Sequence, residues 1–125
     1  MKNLLKKIVK WIFICTMFLF ISFEISKKEV GVVFKNESKE DFKELQVKIL
    51  DKEFTFFNLK AGQKTKKVIV SKTYSYCYAR AITLIDTVIC QPIDYVGEKL
   101  YTHGSLVMNL YIFPEEGNER WLRIQ

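Results

Sequence analysis

Tyr74, Tyr76 and Tyr78 alternate along the chain, and Arg80 continues the series at the same spacing. In an extended strand, residues two apart share a face, so these side chains form one row of phenols ending in a guanidinium. Tyrosine brings contact area at low entropy cost and a hydroxyl that donates or accepts. Such a row can bind a peptide, a glycan or another protein. It can equally serve as a half-buried aromatic ladder that supports a sheet. The intervening residues Cys77, Ala79, Ala81 and Thr83 are small. Small residues are the less usual choice for a core, so the alternation favours the tyrosines as the inward side.

A second group lies at Pro92–Glu98, where Asp94, Tyr95 and Gly97 share a connection between strands. Binding residues gather on such loops, although Asp94 also suits ordinary turn chemistry, accepting bonds from nearby backbone N–H groups. The case for catalysis is thin. The only histidine is His103, and Ser105 with Asp94 would complete the residue types of a triad. Near neighbours on a strand do not converge that way, and there is no nucleophile elbow or oxyanion loop. Pairing Cys77 with His103 has no more support. Metal sites need three or four converging ligands, and neither CxxC nor HxxxH spacing occurs. The expectation is a protein that is not an enzyme and uses no cofactor.

Positioning these residues falls to two segments of different character. Met1–Lys10 carries Lys2, Lys6, Lys7 and Lys10 with no acid, and Trp11–Phe23 (WIFICTMFLFISF) carries no charge. A basic start followed by an apolar run is the layout of an export signal. A cleavage site would need small residues at −3 and −1, but Glu24 intrudes on both registers that end at Glu24 or Ser26. Ile14 before Cys15 argues against a lipoprotein. Thirteen helical residues span only about 20 Å, whereas eighteen, from Ile8 to Ile25, span about 27 Å against a hydrocarbon core of ~30 Å. The expectation is a signal anchor over residues 1–28, with a transmembrane helix at about 8–25. The other reading is a cleaved signal peptide. Lysines stay in the cytoplasm, so residues 29–125 face outward from the cytoplasmic membrane, or are secreted or periplasmic if the signal is removed.

The leader also explains the charge. The whole chain is +6, but six lysines against Glu24 belong to residues 1–28, leaving residues 29–125 with 14 basic and 13 acidic side chains. A nucleic-acid partner is therefore not expected, because the basic excess is targeting rather than a binding patch. Within the outer part, Lys60, Lys64, Lys66, Lys67 and Lys72 lie in a stretch free of acids. That pattern protects an edge strand from aggregation, or touches anionic lipid or an acidic partner.

From Val30 onward the apolar period is two, with frequent turns. Strands are predicted at 30–34, 42–50, 53–57, 66–71, 73–83, 88–93, 105–113 and 121–124. Leu45, Val47 and Ile49 alternate with Glu44, Gln46 and Lys48 most cleanly. The predicted fold is all-β: a two-sheet, immunoglobulin-like sandwich of seven to eight strands preceded by an N-terminal hydrophobic helix. Cys77 and Cys90 are candidates for a disulfide in an oxidising compartment, with buried free thiols as the other reading. A hairpin turning near Asp86 sets Cys90 opposite about Ala81, which works against a bridge needing Cα atoms within ~7 Å.

Three short motifs mark the layout: Asn36-Glu37-Ser38 after the first strand, Leu59-Lys60-Ala61-Gly62, and Tyr95-Val96-Gly97 before the last long strand. With the leader, these resemble a loose class of small bacterial exported or membrane-anchored β-sandwich proteins. No activity is established for that class, so the resemblance implies an architecture and no site residues. The expected role is a membrane-anchored, outward-facing interaction module with a protein partner in the cell envelope, such as an accessory subunit or an immunity-type protein. The alternative is a secreted binder of a small ligand or glycan, using the Tyr74/Tyr76/Tyr78 face. Tyr74, Tyr76, Tyr78, Arg80, Asp94 and Tyr95 are the candidate binding residues.

Overall fold

The computed structural model describes residues 2–25 and 28–125 and, within the helix, the side chains of residues 2–16. Helix α1 runs Lys2–Ile25. Among the described residues eight strands follow: β1 Val30–Asn36, β2 Phe42–Ile49, β3 Lys52–Leu59, β4 Val68–Val70, β5 Tyr78–Ile82, β6 Thr87–Cys90, β7 Gly104–Phe113 and β8 Trp121–Ile124. They form two four-stranded sheets, ordered β4-β1-β7-β8 and β3-β2-β5-β6. All pairings are antiparallel except that of β1 with β7, which is parallel.

Every described side chain of α1, from Lys2 to Thr16, is exposed, the apolar ones included. Among the described residues no helix is long and apolar enough to cross a membrane. The span expected at about 8–25 continues past residue 16, where the side chains lie outside the described residues.

Alternation along the strands builds the core. Val30, Val32, Phe34, Met108, Leu110, Ile112 and Leu122 of one sheet are buried against Phe42, Leu45, Val47, Ile49, Ala79, Ala81 and Val88 of the other. Here the preference for inward tyrosines is corrected. Cys77, Ala79 and Ala81 form the buried face, while Tyr74, Tyr76 and Tyr78 are only half-buried. The reason lies on the opposite sheet, whose large Phe34, Met108 and Leu110 fill the volume that small residues leave, as dense packing requires. Met108 Sδ reaches to 3.8 Å from Cys77 Sγ. The row is also shorter than expected, because regular pairing in β5 begins only at Tyr78.

The β5–β6 register corrects the cysteine geometry as well. Cys90 lies opposite Ala79 rather than Ala81, so it is diagonal to Cys77. Diagonal Cα atoms stand ~7–8 Å apart, beyond the usual disulfide range. Both cysteines are free thiols. Burial, with Cys90 adding to it, pushes the Cys77 thiol up to about 12. The turn that the predicted strands 42–50 and 53–57 leave at residues 51 and 52 sits one residue earlier: Ile49 pairs with Lys52, and Leu50 takes a left-handed φ of 53°. Two-residue hairpins demand that conformation.

The registers sort the loops into two ends. Val30, Gly104 and Val70 are paired at the near end, where the chain arrives from α1. The Thr73–Tyr101 bridge extends this sheet beyond them. The β2–β3 turn lies at this end too, since Leu50 and Asp51 line a cavity with Val70 and Lys72. Asn36, Phe42, Leu59, the β5–β6 turn and the start of β8 make the far end. Strand β4 is an edge, and the neighbouring Lys64, Lys66, Lys67 and Lys72 are exposed beside it.

Candidate functional site

At the near end the structure joins the two groups singled out in the sequence. Tyr74 stacks on Tyr95, with ring centroids 4.3 Å apart and planes 8° from parallel, and Tyr76 packs at 5.3 Å. The Tyr76 hydroxyl donates to the Asp94 carbonyl at 2.9 Å, and Asp94 Oδ1 accepts from Val96 N at 3.1 Å. Asp94 is therefore a turn former, and the loop it shapes pivots at Gly97, whose φ of 80° suits glycine. Burial, then the Glu98 and Asp94 carboxylates, raises the Tyr76 phenol; burial also leads the rise at Tyr95. Shaped this way, the loop turns Ile93 and Val96 outward, at 98% and 88% exposure.

Tyr78 and Arg80 stand apart from this cluster. They lie in register with Lys48 and Gln46 on the outer face of the β3-β2-β5-β6 sheet. Arg80 Nε is shielded from solvent without a hydrogen-bond partner among the described residues. His103 is exposed, 3.5 Å from the Thr102 hydroxyl.

The far end is organised by a residue that sequence reasoning passed over. The Arg120 side chain keeps only 2% of its exposure. It donates to Asp86 twice, Nε to Oδ2 at 2.9 Å and Nη2 to Oδ1 at 2.6 Å. On its other side it pairs with both Glu40 oxygens, and Nη1 also donates to the Glu115 carbonyl at 3.1 Å. All five guanidinium donors are used. This arrangement joins the β1–β2 turn, the β5–β6 turn and the approach to β8. Hydrogen bonding from Arg120 holds the Asp86 carboxyl below its ordinary range, with Thr83 assisting against an opposing effect of burial. Arg120 itself is raised, first by Asp86 and then by Glu40.

Two smaller devices complete this end. Asn36, fully buried, donates through Nδ2 to the carbonyls of Glu40 and Leu59 and accepts through Oδ1 from Ser38. Its own carbonyl accepts from Gly62 N at 2.7 Å. The Asn-x-Ser and Leu-x-x-Gly motifs are thus one structural clasp. The Thr83 hydroxyl donates to Asp86 Oδ1 at 2.7 Å and accepts from Asp86 N, closing the β5–β6 turn. At its tip Leu84 and Ile85 are 74% and 75% exposed. Ile85 borders a cavity of about 320 Å³ with an acidic rim that includes Glu37, Glu115 and Glu116.

A single signal in the sequence pointed toward Arg120, namely an arginine directly after Glu119 in a segment that also holds Glu115 and Glu116. Nothing local names its partners, which are 34 and 80 positions away. The chain has no significant match among protein-family models, curated proteins or solved structures.

Proposed function

We propose that this protein is a membrane-anchored, extracytoplasmic, non-catalytic interaction module that engages a protein partner through its far end. The observation that carries the reading is the contrast between α1 and the sandwich. Leu4, Leu5, Ile8, Val9, Trp11, Ile12, Phe13 and Ile14 are all exposed and pack on nothing among the described residues, while the β domain encloses a core of its own around Phe34, Phe42, Leu45 and Leu110. From Trp11 to Cys15 the exposed helix surface carries no charge, and a bilayer supplies the apolar solvent that suits such a run. Thr16 fits this, since its hydroxyl donates back to the Ile12 carbonyl at 2.8 Å instead of asking for water. The lysines at the start of the helix orient it with the β domain outside. The reading extends to an uncleaved signal and to an immunoglobulin-like class of sandwich, for which the two four-stranded sheets speak.

Contact with a protein is supported by Leu84 and Ile85. They are large apolar side chains held outward by a turn that Thr83, Asp86 and Arg120 fix in place. Preformed anchors of this kind cost little ordering entropy on binding. A second reading, a secreted binder of a small ligand or glycan, draws on a cavity of about 620 Å³ lined by Tyr76, Gln91, Trp121 and Arg123. Aromatic walls with a few polar groups suit a sugar.

Fractionation and in-cell crosslinking distinguish the two. The proposal expects full-length chain in the membrane fraction and one stoichiometric protein partner, lost when Leu84 and Ile85 are both changed to Ser. A soluble chain beginning near residue 27 with no protein partner would overturn it and favour the second reading.

A further inference from the structure

We infer that the near-end loop at 92–98 rests on the surface of the lipid bilayer, with Ile93 and Val96 inserted among the headgroups. The inference rests on the anchor reading above and adds a second contact, made by a different part of the chain. Only residues 26–29 lie between the end of α1 at Ile25 and the start of β1 at Val30. Five extended steps reach at most about 18 Å, and the headgroup layer itself takes up ~6 Å of that. Strand β7 alone, with its ten residues, is about 34 Å long. A sandwich tethered so closely cannot stand clear of the membrane, and the registers say which end it turns inward. Val30 shares the near end with Gly104, Val70 and the Thr73–Tyr101 bridge.

The side chains at that end fit an interface. Ile93 and Val96 are almost wholly exposed, and Leu100 is 41% exposed. Behind them the Tyr74–Tyr95 stack and Tyr76 supply rings with polar tips, the amphipathic type enriched at headgroup level. Asp94 and Tyr76 pre-shape the loop, so its apolar residues are presented rather than left to collapse. Lys72 and Lys99 are offset here by Asp94 and Glu98. The contact is therefore apolar and aromatic and does not depend on anionic lipid.

The test uses the full-length protein in vesicles of zwitterionic phosphatidylcholine, brominated near the acyl carbonyl, and reads tryptophan emission. Trp11 reports the helix, and Trp121, at the far end, reports solvent. In the W11F/I93W variant the added indole should lose its emission and shift to the blue, whereas in W11F/L84W it should do neither. Both added indoles replace highly exposed side chains, and an unchanged thermal melt verifies the fold. Trp11 quenched with position 93 unquenched would overturn the loop contact and leave the anchor intact. Quenching at both 93 and 84 would equally overturn it, since the domain would then lie flat. No quenching of Trp11 would remove the anchor, and the loop contact with it.

Discussion

The two ends of the sandwich solve the same problem with opposite chemistry. At the near end the 91–103 connection is held by ring stacking, the phenol-to-carbonyl bond of Tyr76 and the paired backbone bonds between Thr73 and Tyr101. At the far end three separate segments converge on one buried arginine and two carboxylates, and a buried asparagine ties down a fourth. Stacking leaves the near loop's apolar tips uncovered, whereas the ionic clamp fixes the far turn's backbone and lifts Leu84 and Ile85 as a rigid point. The proposed lipid contact would draw on the first kind of support and the proposed partner contact on the second. The ends should accordingly fail under different perturbations.

The greatest loss is expected from Arg120→Ala. It strands Glu40 and Asp86 beside each other, and breaking a buried pair this way costs roughly 3 kcal/mol, moderated because both carboxylates keep some solvent contact. Arg120→Lys should recover only part of it, since an ammonium cannot satisfy both carboxylates in the same fork. Thermal melts of the two variants measure this directly. Asn36→Ala follows, at about 2 kcal/mol, because it leaves the Leu59 and Glu40 carbonyls without their donor. Urea titration of the variant checks that value. Tyr95→Ala should cost less, on the order of 1 kcal/mol, the worth of its ring contacts beyond buried area. If Tyr95→Ala proved more damaging than Arg120→Ala, the contrast between the ends would be wrong.

Acid and base sharpen the contrast. Asp86 is depressed in the fold, so its contribution is complete above the ordinary carboxylate value of ~3.9 and fades as pH falls through and below it. The stability gap between the native chain and Arg120→Ala should therefore close in acid. Tyr76 and Tyr95 are raised, so their neutral phenols favour the fold below the ordinary value of ~10, and that advantage disappears as pH climbs beyond it. Melting curves across pH should show the clamp failing first in acid and the tyrosine cluster first in alkali. The smallest effect belongs to Cys77. Its raised thiol and burial predict negligible alkylation in the native state at pH 8, while Cys90 reacts slowly. Mass spectrometry after iodoacetamide treatment reads both.

Much of the frame was legible from period-two patterning. Trp121–Ile124 matches its prediction, and Phe42–Ile49 and Gly104–Phe113 each differ from theirs by one residue. Patterning failed between Thr73 and Tyr78. Tyr-Ser-Tyr-Cys-Tyr alternates like a strand, yet pairing begins only at Tyr78 because the preceding residues turn to meet Tyr95 and Tyr101. The facing of β5 was illegible for another reason: whether small residues line a core depends on what the opposite sheet supplies, here Phe34, Met108 and Leu110. Tyr74, Tyr76, Asp94 and Tyr95 were legible as candidates one by one, but their stacking is a long-range fact. Arg120 was legible only as a charge beside acids, because its partners are in turns that no local spacing connects.

The decisive measurement is photo-crosslinking in cells, with a photoreactive side chain placed at position 84 in one strain and at position 93 in another. An anchored module with two differently used ends predicts a discrete protein adduct from position 84 and lipid adducts from position 93. A protein adduct from position 93, with none from position 84, would contradict that assignment and make the tyrosine end the partner-binding surface.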